Sequence, residues 1–264
     1  MLNKELGLHS KSNSEQFRDP NKFRHLCEEL LADGVLDMLV RNTHDLAQIR
    51  NSYYSKLTRS HTGVPACEEH RLERSIWVKW RPYPHVEKNT GKKTCIIAGT
   101  KFLQVAPRIM TYQLPLFNSK KKQDWGYVDL VGISTENTPV VIELKDDDSA
   151  ESPLRILLEA FAYGISIRKA WRSTPAGGGA GQLQQDWRTA LAELGEDVKD
   201  IPCELHKCNL VCAAPPDYWA RMRAGERLDH DGWSLFKQLI SKVERFDFVV
   251  HFAKVQIEAE TFLI

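Results

Sequence analysis

Two short apolar segments, each interrupted by charge, constrain this chain more than any other feature. The first covers residues 125–133 and carries Asp129, and the second covers residues 139–145 and carries Glu143 and Lys145. A short polar stretch separates them, so an antiparallel hairpin can place the two segments side by side. Because side chains alternate along a strand, Glu143 and Lys145 share one face, and the hairpin brings Asp129 near Glu143.

Charges inside apolar strands need a partner, because moving carboxylates out of water costs several kcal/mol per ion unless they are compensated. Two carboxylates and a carbonyl oxygen on adjacent strands form the oxygen environment that Mg²⁺ prefers. The spacing Asp-x13-Glu-x-Lys therefore predicts a divalent-metal site made of Asp129, Glu143 and the backbone carbonyl of Leu144. Lys145 stands beside it to hold a water or a phosphate. The alternative is a buried or edge ion pair between Lys145 and a neighbouring acid.

A helix is predicted directly after the second segment, because Ser152 suits an N-cap and Pro153 the first helical position. Glu159 and Tyr163 lie one turn apart on it and can project toward the metal or the phosphates. Alternatively, Glu159 forms a surface pair with Arg155 and Tyr163 lies at a core edge. The acidic residues before the helix are expected to cap it and to be solvated: Asp146, Asp147, Asp148 and Glu151.

Two amphipathic helices are predicted before the core, because apolar residues recur there at helical spacing. Gly34 separates them, and the second is expected to continue to Leu57. We predict a helical extension of residues 1–64 and a core domain of residues 65–264, divided by a turn-like segment. Basic residues of the extension favour a solvated helix face, and a nucleic-acid-facing arm is the alternative: Arg41, Arg50, Lys56 and Arg59.

The remaining pattern predicts a mixed α/β fold. Its expected elements are a helix at 66–77, strands at 94–98, 102–105 and 109–117, a helix at 182–194, a strand at 207–213, helices at 218–223 and 232–243, and strands at 246–251 and 255–260. A basic loop that includes Lys121 and Lys122 leads into the first charged segment. This loop is a candidate phosphate-binding element, and a plain solvated loop is the alternative.

Composition narrows the class of protein. The net charge of +1 does not mark a nucleic-acid binder, although phosphate contacts depend on local patches rather than on the sum. The sequence contains no run of about 18 apolar residues, so no membrane span is predicted, and no signal peptide is recognisable. The six cysteines are therefore expected to be reduced in a cytoplasmic protein. A zinc site is disfavoured at Cys203, His206, Cys208 and Cys212, because no C-x2-C pair occurs there.

Asp129, the Glu143-Leu144-Lys145 segment and the following helix resemble the PD-(D/E)xK nuclease superfamily. The resemblance covers roughly residues 66–215. It implies a restriction-endonuclease-like core, with a central mixed β-sheet flanked by helices. It also implies that Asp129 and Glu143 bind Mg²⁺ and that Lys145 assists the attacking water.

Three positions outside Asp129, Glu143 and Lys145 can also be compared with the superfamily pattern. Many members of the superfamily add a glutamate from the helix before the sheet, which resembles Glu73 here, with Glu69 as the second choice. Val128 stands where a proline often precedes the first aspartate. Glu159-x3-Tyr163 stands where some branches have Gln-x3-Tyr.

The resemblance implies a Mg²⁺-dependent nuclease, with Mn²⁺ able to substitute, that hydrolyses phosphodiester bonds of DNA. Lys121, Lys122 and Tyr163 are the expected substrate-binding residues. Two alternatives stay open: a nuclease-fold protein that binds nucleic acid or a protein partner without cleavage, and an RNA-processing nuclease with the same site. The N-terminal helices are a candidate surface for a homodimer or a protein partner, and no membrane association is expected.

Overall fold

The computed structural model describes residues 19–47, 53, 68–80, 85–86, 93–94, 108–116, 127–149, 151–172, 181–193, 201, 207–223, 228–258 and 261–263. In chain order, these residues form α1 (Pro20–Leu31), α2 (Val35–Leu46), α3 (Glu68–Trp80), β1 (His85–Val86), β2 (Lys93–Thr94), β3 (Arg108–Pro115), β4 (Tyr127–Ile133), β5 (Pro139–Leu144), α4 (Pro153–Arg172), α5 (Gln182–Ala192), β6 (Cys208–Ala214), α6 (Pro216–Arg223), α7 (His230–Glu244), β7 (Phe248–Lys254), β8 (Gln256–Glu258) and β9 (Thr261–Leu263).

One five-stranded mixed sheet organises the protein, with its strands in the order β3-β4-β5-β6-β7. The β3–β4 and β4–β5 pairs are antiparallel, whereas the β5–β6 and β6–β7 pairs are parallel. The parallel connections pass through helices, as parallel strands require. The expected α/β class, with a central mixed sheet and flanking helices, is confirmed at this level. Two further two-stranded pairs, β1-β2 and β8-β9, lie outside this sheet.

The sheet buries both of its faces, because alternate side chains of β4 and β5 enter different apolar clusters. Val131 and Val141 join the cluster that contains α4, and Leu130 and Ile142 join the one that contains α3. Burial on both faces explains why β5 is apolar at nearly every position. The charged residues of these strands, Asp129 and Glu143, are therefore buried as well.

The long helix α4 packs on β5 and β6 and is covered by α2 and α5 on other sides. Most of its residues are consequently buried, and its first residue is Pro153, as predicted. Gly164 allows this close packing, because a Cβ atom there would lie 2.6 Å from Leu210 Cδ2 and 2.6 Å from Phe248 Cε1. Ser152 precedes the helix, but its buried hydroxyl makes no hydrogen bond to any described residue.

The N-terminal helices pack on the rest of the protein. The buried residues Phe23, Cys27 and Leu30 of α1 belong to the same apolar cluster as the α4 face of the sheet. Gly34 separates α1 from α2 as predicted, with a φ of 78° that glycine adopts without steric cost. The predicted boundary near residues 61–65 lies outside the described residues.

The prediction that α2 continues to Leu57 is wrong, because the helix ends at Leu46 and Ala47 is extended. The extended conformation of Ala47, with a ψ of 128°, cannot continue an α-helix, and its N–H closes the last turn by donating to the Thr43 carbonyl. Farther along the chain, Tyr53 is buried, and its main-chain N–H donates to the Asp186 carboxylate of α5.

Most other predicted elements are found with shifted ends. The predicted helix at 66–77 is α3, Glu68–Trp80, and the strand predicted at 109–117 is β3, which ends at Pro115. Most of the predicted strand at 94–98 and all of that at 102–105 lie outside the described residues. The last predicted strand is the short β8, which pairs with β9. No described helix is long and apolar enough to cross a bilayer.

Candidate metal centre

The β4–β5 hairpin brings the predicted acids of the two strands together. Its antiparallel register pairs Leu130 with Ile142, and continuing that register places Asp129 opposite Glu143. Asp129 Oδ2 accepts a hydrogen bond of 2.8 Å from the main-chain N–H of Leu144. The predicted juxtaposition of the strands is confirmed, and the main chain of Leu144 borders the Asp129 carboxylate.

Helix α3 supplies two further carboxylates. Glu69 and Glu73 lie one turn apart, and one carboxylate oxygen from each lies within 4.8 Å of the other and of one from Asp129. We refer to Glu69, Glu73 and Asp129 as the acid cluster. The sequence favoured Glu73 with Glu69 as second choice, and the structure brings both to Asp129. Glu143 adjoins this cluster but does not belong to its closest set of oxygens.

Gln113 is a residue of this region that the sequence analysis missed. It lies in β3 opposite Asp129, between the registered pairs on either side, and has a φ of 53°, a left-handed conformation that is uncommon for a residue with a side chain. Its side-chain amide donates a hydrogen bond of 2.6 Å to Glu73 Oε2. The signal in the sequence was a lone amide in an otherwise apolar segment next to a charged strand.

Lys145 is buried at the centre of a larger group of acids. Its Nζ donates to Glu143 Oε1 at 2.9 Å, which confirms that these two side chains share a face. Three other carboxylates lie within 4 Å of the same nitrogen: Glu151 at 3.2 Å, Glu159 at 3.2 Å and Glu69 at 3.9 Å. The expectation that Glu151 is merely a solvated capping residue is wrong, because Lys145 attracts its carboxylate inward.

Burial raises the pKa values of the acid cluster. Desolvation is the largest cause for each acid, and the Asp129 charge raises the pKa values of Glu69 and Glu73 further, whereas Lys145 lowers the pKa of Asp129 in part. The pKa of Asp129 is raised to about 6, that of Glu69 to about 8 and that of Glu73 to about 10. The acids therefore cannot all be ionised at neutral pH unless a cation joins them.

The acids around Lys145 differ in charge state. Burial would raise the pKa of Glu159, but Lys145 and Arg155 lower it to about 2. Burial and the Asp129 charge raise the pKa of Glu143. Burial would lower the pKa of the Lys145 ammonium, but Glu143 and Glu159 raise it. Glu159 thus stays ionised beside Lys145.

Four buried carboxylate oxygens accept no hydrogen bond from the described residues: Glu73 Oε1, Glu143 Oε2, Glu151 Oε2 and Glu159 Oε2. Those of Glu151 and Glu159 lie 3.2 Å from the Lys145 ammonium, which leaves Glu73 Oε1 and Glu143 Oε2. An unsatisfied buried oxygen is costly, and a divalent cation would satisfy it. The donor set consists only of oxygens, which suits a hard cation such as Mg²⁺ rather than a thiolate-seeking metal. The residues present therefore fit a divalent cation.

Glu159 and Tyr163 of α4 both face this region. Glu159 Oε1 accepts a bond of 3.0 Å from Arg155 Nε, and its Oε2 lies 3.2 Å from Lys145 Nζ. It combines the two interpretations that the sequence left open. Tyr163 is buried, and desolvation together with the Glu143 charge raises the pKa of its phenol, so it lies close to the carboxylates.

A cavity of about 580 Å³ lies beyond Lys145, between Leu72 of α3 and the start of α6. Four aspartates line it: Asp146, Asp147, Asp148 and Asp217. Burial and the neighbouring Asp217 charge raise the pKa of Asp147. This acidic lining repels phosphate, so the cavity is a poor path for a nucleic-acid strand. Lys121 and Lys122, the predicted phosphate-binding residues, lie outside the described residues.

Comparison of the chain with protein-family models, with curated proteins and with solved structures finds no match. The candidate centre consists of Glu69 and Glu73 from α3, Asp129 from β4 and Glu143 from β5, beside the buried Lys145. These oxygen donors fit a divalent cation.

Proposed function

We propose that this protein is a metal-dependent nuclease that hydrolyses phosphodiester bonds of DNA. One observation carries the proposal: the carboxylates of Glu69, Glu73 and Asp129 converge within 4.8 Å beside the buried Lys145. Three acids are costly to bring together in an apolar sheet, and a divalent cation removes that cost. The resemblance of the two strands to the PD-(D/E)xK superfamily agrees with this chemistry.

In this proposal, Asp129 and Glu73 hold Mg²⁺, for which Mn²⁺ can substitute. Glu69, the free oxygen of Glu143 and the Leu144 carbonyl are the further oxygens available nearby. A bound divalent cation supplies a water of lowered pKa and neutralises charge that develops on the phosphate.

Lys145 has the second role. Its ammonium keeps its charge, because the surrounding carboxylates raise its pKa. Once a cation compensates part of the acid group, Lys145 holds the attacking water or contacts the phosphate as a point charge. Glu159 keeps Lys145 aligned, since its carboxylate remains ionised at 3.2 Å. DNA is the proposed substrate, with RNA as the alternative for the same site.

A second candidate function is supported by the environment of Lys145. Carboxylates from Glu143, Glu151 and Glu159 already lie within 3.2 Å of its Nζ, so the lysine itself neutralises much of the acid group. A protein that binds nucleic acid or a partner without cleavage could keep such an ion network for structure alone. In that case the acids would stabilise the fold without binding a divalent cation.

One experiment separates the two candidates. Labelled single-stranded DNA, double-stranded DNA and RNA are incubated with the protein in Mg²⁺, in Mn²⁺ and in EDTA. We expect metal-dependent cleavage, and a loss of at least about a hundred-fold in Asp129→Asn and Glu73→Gln. Asp37→Asn, an exposed acid on α2, is the matched control and should cleave like the wild type. Absence of cleavage, or cleavage that survives both substitutions, would reject the nuclease.

A further inference from the structure

A second charged region lies at the opposite end of α4 from the acid cluster. A cavity of about 380 Å³ opens there between α2, the last turns of α4 and the turn that enters β7. Four cationic side chains line it: Arg168, Lys169, Arg172 and Arg245. We call this cavity, which is lined by these four cations, the basic cavity.

Cations outnumber acids among the described residues that line the basic cavity. Among the described lining residues, Asp247 is the one carboxylate, which leaves a formal charge of +3 with His44 neutral. Asp247 lies 3.6 Å from Arg168 Nη2 and is 66% exposed, so this pair is weak. The nearby Asp45 is more exposed still and lies beside His44.

The main chain anchors two of the four cations without neutralising them. Arg168 Nη1 donates to the carbonyl of Phe246, and its guanidinium stacks 4.9 Å from the centre of the Phe248 ring. Lys169 Nζ donates to the carbonyl of His44 at 2.5 Å. Carbonyl oxygens carry no formal charge, so these contacts fix the cations around the cavity and leave their charge available.

The cations also repel one another. Burial and the Arg172 charge lower the pKa of Arg168. Like charges converge in this way at sites that take an anion, and a concave wall concentrates their field. Guanidinium groups match phosphate oxygens in geometry, since they donate two parallel hydrogen bonds.

We propose that the basic cavity binds a phosphate group. The phosphate can belong to a nucleic-acid strand or to a small phosphorylated molecule, and both present the same charged oxygens. The site does not depend on the proposed nuclease activity, because its residues share none of the acid cluster.

The basic cavity is separate from the acid cluster in position. Helix α4 rises about 1.5 Å per residue, so Arg168 and Arg172 lie about 14 to 20 Å along its axis from Glu159. Arg168 also follows Glu159 by about two and a half turns, so the two side chains leave opposite sides of the helix. A nucleic-acid strand in contact with both sites would have to pass around α4 as well as along it, and binding measurements identify which source of phosphate the cavity takes.

The test measures binding in EDTA, so that cleavage plays no part. Anisotropy of a fluorescein-labelled 20-nucleotide DNA is compared for the wild type, Arg172→Ala/Arg245→Ala and the control Lys237→Ala, an exposed lysine on α7. We expect the double variant to weaken binding at least about ten-fold at low salt and to reduce the salt slope by about 1.4, for two phosphate contacts of a single strand. The control should change it less than two-fold.

A second arm identifies the source of the phosphate. Titration calorimetry with sodium pyrophosphate measures binding of a small anion to the same three proteins. Binding of pyrophosphate that the double variant loses, without binding of the oligonucleotide, would support a small phosphorylated ligand. Binding of neither probe to the wild type, or equal losses in the double variant and in Lys237→Ala, would overturn the proposal.

Folding is checked in the same series. If thermal unfolding shows that the double variant is destabilised, Arg245→Gln alone replaces it, because Arg245 is exposed and follows the end of α7. This variant should weaken binding of the responding probe at least about three-fold, a value expected for one lost phosphate contact. An unchanged affinity would overturn the proposal as well.

Discussion

The two ends of α4 carry opposite charges in opposite environments. At its start, Glu143 and Lys145 are almost fully buried, together with Glu73 and Asp129. At its end, Arg172 and Arg245 are exposed, and water can screen their repulsion. Burial, more than the number of charges, therefore decides what a charged group requires. The buried acids need a proton or a cation to offset their desolvation, whereas the exposed cations at the other end are hydrated by solvent.

Removing Lys145, the buried cation of the acid end, should change the stability of the protein most. Lys145→Met leaves several carboxylates without compensation in a buried region, so we expect a loss of about 3–5 kcal/mol in the free energy of unfolding in EDTA at pH 7.5. Urea denaturation measures it. The loss should shrink at pH 5, where the remaining acids take up protons.

Lys237→Met serves as the control for this substitution, because Lys237 is exposed on α7 and should change stability by less than about 0.5 kcal/mol. If Lys145→Met cost less than about 1 kcal/mol, the two ends of α4 would be energetically alike. The proposed contrast between buried and exposed charge would then fail.

The second prediction concerns the pH dependence of the acid end. Asp129, Glu69 and Glu73 have pKa values raised to about 6, 8 and 10, so the folded protein holds protons that the unfolded chain has released. These groups lower the stability of the metal-free protein as pH rises from about 5 to about 9. Glu159 acts in the opposite sense, because its lowered pKa adds stability at neutral pH that is lost below about pH 4.

A divalent cation must displace those protons, so its affinity should rise with pH. We expect Mn²⁺ to bind at least about ten-fold more tightly at pH 7.5 than at pH 6.5, with proton release visible in calorimetry carried out in two buffers of different ionisation enthalpy. An affinity that does not change with pH would mean that the acid cluster is not the binding site. Asp37→Asn should leave the profile unchanged.

The third prediction tests whether Gln113 positions Glu73. Gln113→Ala removes the 2.6 Å hydrogen bond and keeps the left-handed backbone, so we expect affinity for Mn²⁺ to fall about 10- to 100-fold. Gln113→Gly should lose the same affinity but be about 1 kcal/mol more stable than Gln113→Ala, because glycine adopts this φ without steric cost. Equal affinity for Mn²⁺ in the wild type and both variants would show that Gln113 does not position Glu73 for metal binding.

The smallest effect is expected at the basic end. Arg172→Ala should change the free energy of unfolding by less than about 0.5 kcal/mol, since an exposed cation contributes little to folding. Chemical denaturation at low and at high salt measures it. A clear gain in stability at low salt would show that repulsion between the cations of the basic cavity is not screened by solvent. Exposed charge would then also affect the free energy of unfolding.

Sequence patterns predicted the parts of the fold that depend on local rules. The charged hairpin, the start of α4 at Pro153 and the break at Gly34 follow from side-chain alternation and from the conformations of proline and glycine. The predicted end of α2 was wrong, because the backbone is already extended at Ala47. Apolar periodicity indicates which side chains share a helix face and does not mark the residue at which the helix ends.

The candidate site divides in the same way. Asp129, Glu143 and Lys145 were predicted because charge in an apolar strand is visible in one short segment. Glu151 was expected to be solvated, and Gln113 was missed. Their roles arise from elements that are distant in the chain or from a backbone conformation that propensity does not forecast.

By itself, the sequence determined that two adjacent strands carry buried charge that needs compensation, because alternation and hydrophobicity are properties of the chain. Only the tertiary structure decided which acids meet: packing of α3 on β3 and β4 brings Glu69 and Glu73 to Asp129, and α4 brings Glu159 to Lys145. It also decided where positive charge gathers at the other end of α4. Charges separated along the chain interact only at the distances that packing sets, and the Coulomb energy depends on those distances and on burial.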